Sequence, residues 1–439
     1  MINRMLDAIH PRTLIVNFNS PELNQLAMAL AVNFALEAFV RPYVNKGRGW
    51  ERALSAMPLG GHLYGSTFGR RRMGDPTLAA LTHEAGVLPD LCAAAISKLG
   101  WLPHATRHRW SHQLYTSVRE AVARAACRHV EHSDCVVAYE GFALPAFAAA
   151  KALGGRSVVL NYPVAHHRLR RRIRLEENER EPEFAVTWPD FDDWPAGHEE
   201  RLDEEIRQAD AVLVGSTYAS ESFVTEGIER AKMQVVPYGV DLQTFTPGPA
   251  RSAAGGFKAI YAGQLTQRKG LSYLLRGYRK FARHDTSMTL VGSIVGGDVP
   301  LRPYADLVTH VAHQTRPALA SMYRDADAFV FPTLIEGMPL VVLEAMACGL
   351  PVIVTANGPG DIVRDGIDGF VIPERDEDAV CDRLDRLYRD PDLRVEMGRQ
   401  AALRALEFGW SNYTGKARHV LAHLSRSGGF TPQRGAAAA

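Results

Sequence analysis

Residues 329–351 read Phe329-Val-Phe-Pro-Thr-Leu-Ile-Glu336-Gly-Met-Pro-Leu-Val-Val-Leu-Glu344-Ala-Met-Ala-Cys-Gly349-Leu-Pro. The apolar start of this stretch predicts a strand, and Leu340–Cys348 predicts a helix that ends before Gly349. Two carboxylates, Glu336 and Glu344, therefore bracket a turn from a strand into a helix. Because open α/β sheets bind phosphorylated ligands at such turns, the stretch predicts both a fold class and a ligand site.

The predicted turn offers backbone amides and a carboxylate to one ligand. The residues at the predicted helix start are Gly337, Met338, Pro339 and Leu340. Amides there lack intrahelical partners and favour a phosphate, and proline is tolerated in the first turn. Glu344 leans back toward the same ligand, where a carboxylate can accept both hydroxyl protons of a ribose. An ordinary helix-stabilising charge would suit Glu344 poorly, because its neighbours are nearly all apolar.

A second loop carries the positive charge that a phosphate ligand needs. It reads Tyr261-Ala-Gly263-Gln264-Leu-Thr-Gln-Arg268-Lys269-Gly270 and follows the predicted strand Phe257–Ala262. Gly263 allows the backbone to approach a ligand closely. Arg268 and Lys269 can neutralise a diphosphate, the first with a planar fork and the second as a point charge. Two basic residues alone are weak evidence, but together with the Glu336 loop they predict a nucleotide-diphosphate site.

Predicted strands and helices alternate along the rest of the chain, which indicates parallel sheets covered by helices on both faces. In the first half we predict helices over Leu23–Phe39 and 77–100, and a solvated helix and loop over the acidic stretch 176–200. Prolines and glycines in 238–249 interrupt the alternation, which then starts again at Phe257. The chain is therefore predicted to be an α/β protein with two tandem Rossmann-like domains.

The length of 439 residues exceeds what one core usually supports, which agrees with two domains. The predicted divisions are an N-terminal domain over 1–240, a linker over 241–252, a second domain over 253–408, a last helix over 409–426 and a disordered tail over 427–439.

Composition indicates a soluble globular protein, with 46% hydrophobic and 23% charged residues. The five cysteines form no CxxC pair and are expected to be buried thiols in a reducing compartment. No signal peptide or membrane-spanning stretch is indicated. We therefore expect a cytoplasmic location.

Charge is distributed unevenly, since residues 1–174 hold 22 Lys and Arg against 11 Asp and Glu, whereas the remainder holds 28 against 38. The basic clusters 70–72, 107–110 and 166–174 are candidates for peripheral contact with anionic lipid. Attraction between the two halves is an alternative explanation. Nucleic acid is not an expected partner, because no recognised binding module accompanies the charge.

From about residue 206 to 415 the chain resembles the retaining, nucleotide-sugar-dependent glycosyltransferases of family 4, the glycosyl transferases group 1. The resemblance rests on four motifs, which are Gln208-Ala-Asp-Ala-Val-Leu-Val-Gly-Ser216, Val236-Pro-Tyr-Gly-Val-Asp241, the Gly263–Gly270 loop and the Glu336–Glu344 spacing. It implies the GT-B fold, with two Rossmann-like domains facing each other across a cleft and a C-terminal helix crossing back to the N-terminal domain. The second domain would bind the nucleotide sugar, and the first would bind the acceptor.

The resemblance assigns roles to individual residues of the second domain. It implies that Glu336 lies close to the donor sugar, that Glu344 holds the ribose and that Lys269 binds the diphosphate. Gln264 stands where the family usually has arginine, and Arg268 is the candidate replacement for that charge.

The first domain matches the family less well. His166 is the candidate for a histidine that many members place near the sugar and phosphate, and a surface histidine is the alternative. Tyr139-Glu140-Gly141, after a predicted strand, is a candidate wall of the acceptor site.

The implied activity is retaining transfer of a sugar from a nucleotide-diphosphate sugar to a saccharide or lipid-linked saccharide in bacterial cell-surface polysaccharide biosynthesis. No metal or other cofactor is expected; His104, His108 and His112 have helical spacing but no carboxylate partner in sequence. Two other classes stay open, namely a GT-B-fold sugar-nucleotide epimerase or hydrolase, and a non-catalytic subunit of a polysaccharide assembly complex. Contact with the inner face of the plasma membrane would accompany the cytoplasmic location.

Overall fold

The computed structural model describes residues 11–56, 71–96, 104–188, 197–248 and 256–427. The chain divides into two compact units, each with more contacts within itself than with the other. The first comprises Met1–Tyr162, Asp193–Leu213 and Thr414–Ala439, and the second comprises Pro163–Asp192 and Val214–Tyr413. The predicted domain boundaries stay predictions, and the predicted tail lies outside the described residues from 428 onward.

Seven strands form the first sheet, in the order β3-β2-β1-β4-β5-β6-β7. They are β1 (Thr13–Val16), β2 (Leu36–Arg41), β3 (Thr82–Glu84), β4 (Cys135–Tyr139), β5 (Ser157–Asn161), β6 (Ala211–Val214) and β7 (Met233–Val235). Neighbours from β3 through to β6 run parallel. Strands β1 and β6 are buried throughout, as expected of a parallel sheet covered on both faces.

Nine helices are described before residue 248. They are α1 (Pro21–Val32), α2 (Gly49–Ala56), α3 (Pro76–Ala80), α4 (Val87–Ile96), α5 (His104–Cys127), α6 (Leu144–Leu153), α7 (His167–Arg180), α8 (His198–Gln208) and α9 (Thr217–Thr225). Helix α7 and the 3₁₀ helix Pro182–Thr187 belong to the second unit, although they precede most of it in the chain.

The second sheet has six parallel strands in the order β10-β9-β8-β11-β12-β13. They are β8 (Phe257–Ala262), β9 (Thr286–Val291), β10 (Val308–Val311), β11 (Ala328–Phe331), β12 (Val352–Thr355) and β13 (Gly369–Ile372). The accompanying helices are α10 (Leu271–Phe281), α11 (Arg316–Arg324), α12 (Leu340–Ala347), α13 (Glu377–Arg389), α14 (Pro391–Ala405) and α15 (Trp410–Ser427).

The site loops follow β8 and β11, which are neighbours in the second sheet. The chain proceeds from β8 outward to β9 and β10 on one side, and from β11 to β12 and β13 on the other. Strand order therefore reverses between β8 and β11. Open α/β sheets bind ligands beyond the carboxyl ends of the strands at this switch point.

The helix predicted over Leu23–Phe39 is wrong in its second half. Helix α1 ends at Val32, Phe34 adopts a left-handed φ of 54°, and residues 36–41 form β2 between β1 and β3. Apolar residues in this segment satisfy both a helical and an alternating period. Pairing with the two neighbouring strands decides the outcome.

The helix predicted over 77–100 is also wrong as a single element. It is divided into α3, β3 and α4, because Thr82–Glu84 pairs with β2, and residues 97–100 lie outside the described ranges. The expectation of a solvated helix and loop over 176–200 holds for exposed residues such as Glu176 and Glu179 but is wrong for two others, since Glu177 is fully buried and Glu181 is 9% exposed. Both find arginine partners far along the chain, which composition cannot show.

Two further observations bear on the general predictions. All five cysteines are free, but only Cys135 and Cys348 are buried, so the expectation that every thiol is buried is wrong. Among the described residues, no helix combines the length and apolarity needed to span a membrane.

Candidate active site

Glu336 lies in the loop after β11, with its carboxylate between two cations. Arg268 Nη1 lies 2.7 Å and Lys269 Nζ 3.0 Å from Glu336 Oε1. The Glu336 amide donates to the Asn357 carbonyl at 3.1 Å. Gly358 passes so close that a Cβ there would lie 2.7 Å from the Cβ of Glu336. The carboxylate is thus held in place from both its backbone and its side chain.

The loop after β8 carries both cations. Lys269 is 9% exposed and its Nζ lies 4.7 Å from the centroid of the Phe331 ring, while Arg268 also donates to the Ile335 carbonyl at 3.0 Å. Gly270 has a φ of 71°, and a Cβ there would lie 1.9 Å from the Pro332 carbonyl oxygen. Glycine at this position therefore allows the two loops to touch.

Electrostatics favour the ionised form of Glu336. Burial alone would raise the pKa of Glu336, but Arg268 and Lys269 outweigh burial and lower that pKa below its usual value. Burial lowers the pKa of Lys269, and Glu336 opposes this effect. A buried carboxylate with two cationic partners leaves net positive charge in the loop, which suits an anionic ligand.

The start of α12 follows the Glu336 loop directly, and one detail of its prediction is wrong. Pro339 is the capping residue before the helix and not part of its first turn. Gly337 packs closely, since a Cβ there would lie 1.9 Å from the Pro163 carbonyl oxygen. None of the described residues accepts a hydrogen bond from the amides of Gly337, Met338 or Leu340. Those donors are available to a phosphate.

Glu344 is 6% exposed and has a different partner from those of Glu336. Arg316 Nη2 lies 3.3 Å from Glu344 Oε1. Burial raises the pKa of Glu344 to about 7, Arg316 opposes the rise and Asp241 adds to it. The sequence did not reveal Arg316, because its pairing with Glu344 brings together the first residue of α11 and the middle of α12, which are separate in the chain.

The other predicted residues lie in varied surroundings. Gln264 is exposed, and its carbonyl accepts from the Tyr261 hydroxyl at 2.6 Å; Gly263 has a φ of 142° beside Lys269. His166 is 1% exposed, so the surface alternative for this residue is wrong. Its Nδ1 accepts from the Arg168 amide at 3.2 Å and so caps α7. Its predicted catalytic role stays a prediction.

The candidate acceptor wall lies in the first unit, at the carboxyl end of β4. The Gly141 amide donates to Glu205 at 2.6 Å, and the Ala143 amide does so at 3.0 Å. Glu205 is fully buried, and burial raises its pKa to about 7 against these backbone hydrogen bonds. No sequence pattern indicates this contact. The side chains of His104 and His108 lie outside the described residues, so the expectation that these histidines hold no metal is untested.

Comparison with known families agrees with this geometry. Residues 256–390, which contain both loops and both glutamates, match the family Glycosyl transferases group 1. Over this range the chain is similar to that family, so the resemblance predicted from the motifs is confirmed.

Solved structures establish the fold class. Sucrose-phosphate synthase from Thermosynechococcus elongatus superposes with a TM-score of 0.63 at 18% identity, covering 94% of this chain and 99% of that one. HepE from Anabaena, in complex with UDP and glucose, gives a TM-score of 0.60 at 13% identity, covering 94% and 100%. The predicted GT-B fold class with two Rossmann-like domains is confirmed. The cleft and the crossing back of the last helix stay predictions.

Curated relatives have higher identity over a shorter range. A D-inositol 3-phosphate glycosyltransferase from Paenarthrobacter aurescens is 34% identical over 232 residues, which are 48% of this chain and 57% of the relative. One from Frankia alni is 36% identical over 204 residues, covering 41% and 50%. The chain spans about half the length of the curated relatives that it matches.

Proposed function

We propose that this protein is a glycosyltransferase that moves a sugar, with retention of its anomeric configuration, from a nucleotide-diphosphate sugar to a saccharide or lipid-linked saccharide. The observation that carries the proposal is the cluster of Arg268, Lys269 and Glu336 beside the open amides at the start of α12. The curated relatives are named glycosyltransferases, and HepE was solved with UDP and glucose, which supports a nucleotide-sugar donor.

In this proposal each group binds a distinct part of the donor. Lys269, Arg268 and the amides of Met338 and Leu340 hold the diphosphate. Glu344 accepts hydroxyl protons of the ribose from within α12. Glu336 exchanges part of its contact with the two cations for the hydroxyl groups of the sugar. The diphosphate of the donor thereby takes over part of the contact that Glu336 makes with Arg268 and Lys269, and these two buried cations stay neutralised.

The reaction breaks the bond between the anomeric carbon and the diphosphate oxygen, and the electron pair goes to that oxygen. The charge that develops on this oxygen is stabilised by Lys269, Arg268 and the start of α12. Such electrostatic stabilisation is usually the largest single contribution to catalysis. The acceptor oxygen attacks from the face that the diphosphate leaves, so configuration is retained. Its proton passes to a phosphate oxygen. Because protein groups supply the neutralising charge, we propose that transfer continues in the presence of a chelator.

The favoured acceptor is a saccharide or lipid-linked saccharide of bacterial cell-surface polysaccharide, met in the cytoplasm or at the inner face of the plasma membrane. The basic half of the chain supports an anionic surface as a partner. Arg109 and Trp110 are exposed in one of the basic clusters. In another cluster, His166, His167 and Arg174 are buried, so only part of it is available.

The test is a transfer assay with a panel of UDP-, GDP- and ADP-sugars, chosen by thermal shift, in wild type and in Lys269→Ala. We expect nucleoside diphosphate release that depends on a saccharide acceptor. Removal of Lys269 should lower kcat by roughly 10²–10³-fold. Lys280→Ala is the matched control, because Lys280 pairs with Glu377 and Asp378 on α13. The control should transfer like wild type.

Two outcomes would overturn the proposal. Release of nucleotide without an acceptor, or epimerised donor as the only product, would indicate a sugar-nucleotide hydrolase or epimerase. Polysaccharide output in cells that is unchanged by Lys269→Ala would indicate a non-catalytic subunit of an assembly complex.

A further inference from the structure

Helix α7 packs against the region of the two loops that follow β8 and β11, which are called the donor loops from here on. An apolar cluster joins this part of the chain to α10 and to the loop that carries Glu336. Its buried members are Ala165, Ile173, Trp188, Tyr273, Leu334 and Ile335. Leu169 packs against the same cluster. The apolar face of an otherwise charged helix is thus used to support the site.

Glu177, on α7, is a fully buried carboxylate that three distant side chains contact. Gln267 Nε2 donates to Glu177 Oε2 at 2.8 Å, and the Tyr273 hydroxyl donates to the same oxygen at 3.1 Å. Arg375 Nε donates to Glu177 Oε1 at 2.6 Å. Both oxygens are therefore occupied, and the ionised carboxylate has a cationic partner, which burial requires.

One branch of this network leads to the cations. Gln267, 1% exposed, directly precedes Arg268 and Lys269. Its side chain is held by Glu177 and by Ser272, and its backbone amide donates to the Thr187 hydroxyl oxygen at 2.8 Å. The conformation of the loop is thereby set from α7 and from the 3₁₀ helix that follows it.

The other branch leads to Glu336. Arg375 has a left-handed φ of 62°, which is strained for a residue with a side chain, and it pairs with Glu177 and with Glu374 at 3.1 Å. Glu374 accepts from Asn357. Asn357 in turn donates to the Leu334 carbonyl at 2.8 Å and accepts from the Glu336 amide at 3.1 Å. Both donor loops are thus tied to one buried carboxylate.

We infer that Glu177 is a positioning residue of the donor site, acting through Gln267 on Arg268 and Lys269 and through Arg375 on Glu336. The inference rests on the proposed function, since it assigns the network to stabilising the leaving diphosphate. Stabilisation of a transition state depends on donors that are held at the correct distance before the charge develops. Because both loops are tied to the Glu177 carboxylate, Arg268 and Lys269 are held at fixed positions relative to Glu336.

The test compares kcat and KM for Glu177→Gln, Lys269→Ala and the double variant. Glutamine keeps the size of the side chain and one acceptor oxygen but removes the charge. We expect Glu177→Gln to lower kcat by about 10–100-fold, with the donor KM changed by less than about threefold, because the lost interaction acts in the transition state. The double variant should be no more than about twofold slower than Lys269→Ala, since residues that act through one another are not additive.

Two further variants keep the test independent of stability. Thr187→Val keeps the shape of the side chain but removes the acceptor of the Gln267 amide, and it should lower kcat in the same way. Glu396→Gln makes the same chemical change on an exposed ion pair with Arg399 and should behave like wild type. Melting temperatures of all variants show whether a change in kcat follows unfolding.

The outcomes separate this inference from the proposed function. Wild-type protein without acceptor-dependent transfer overturns the proposed function. With active wild type, unchanged kcat in Glu177→Gln overturns the role of Glu177 alone. So does a fully additive double variant, or a loss of kcat that disappears when assays are run well below the melting temperature.

Discussion

At the scale of single residues, Glu336 and Glu344 occupy opposite electrostatic environments although both are buried in one loop and helix. Two cations lower the pKa of Glu336, so its ionised form stabilises the fold above the unfolded pKa, and this stability is lost as pH falls through the lower folded pKa. Burial raises the pKa of Glu344 to about 7, so the folded protein loses stability between about pH 4.5 and 7 as this group ionises. A ligand that favours the ionised form of Glu344 would therefore offset this loss of stability.

This difference predicts that nucleotide affinity depends on pH. A ribose that donates two hydroxyl protons favours the ionised form of Glu344, so binding should release a proton below pH 7. With a pKa of about 7 in the free protein, the Kd for the preferred nucleoside diphosphate should fall about tenfold from pH 6 to pH 8 and then level off. Calorimetry at several pH values measures both the Kd and the protons released.

Glu344→Gln is the control for this prediction, because it removes the titrating group but keeps the titration of the ligand's own phosphates. The variant should bind weakly and show only the pH dependence of the ligand. A Kd in wild type that follows the variant's pH profile would contradict the assignment of Glu344 to the ribose.

At the scale of elements, local patterns predicted what local physics determines. The strand Phe257–Ala262 has the predicted bounds, and the helix predicted over Leu340–Cys348 is one residue shorter than expected, because apolar periodicity and end signals agree there. Strands β10 and β13 were missed, since each has only four residues and lies at an edge of the second sheet. Such short strands are specified by pairing with a neighbour, and a single sequence does not show the pairing.

Because the two donor loops touch at Gly270, we expect one added methyl group there to lower stability and kcat strongly. Gly270→Ala places a Cβ against the Pro332 carbonyl and forces alanine into a left-handed φ of 71°. Gly366→Ala is the matched control, with a φ of 73° and no atom within 4 Å of the added Cβ. The control should lose only about 1–2 kcal/mol, the cost of the conformation. Gly270→Ala should lose clearly more, and kcat should fall because Lys269 is adjacent.

Melting temperature and kcat, measured in both variants, test this prediction. Equal loss of stability in the two would show that the backbone conformation alone matters and that the loops tolerate separation. Greater loss in Gly270→Ala with unchanged kcat would show that loop contact does not control the cations.

At the scale of the whole molecule, the C-terminal half of the chain was predicted better than the N-terminal half. Glu336, Glu344 and Lys269 belong to compact motifs within a few residues of a strand end, so local sequence is enough to place them. Glu205 and Glu177 were not predicted, because the groups that donate hydrogen bonds to them are at least 60 residues away along the chain. An acidic stretch also has the composition of a solvated surface, so burial of Glu177 has no signature in one sequence.

The uneven charge of the whole chain predicts salt-dependent binding to anionic membranes. Each Lys or Arg near such a surface contributes about 1 kcal/mol, and exposed tryptophan adds apolar contact. Flotation with vesicles of phosphatidylglycerol and phosphatidylcholine should carry wild type upward, whereas pure phosphatidylcholine vesicles should not. Arg109→Glu with Trp110→Ala should reduce flotation several-fold, whereas Arg399→Glu, in the acidic part of the chain, should have little effect. Equal absence from both kinds of vesicle would rule out membrane contact and leave attraction between the oppositely charged halves as the reason for the imbalance.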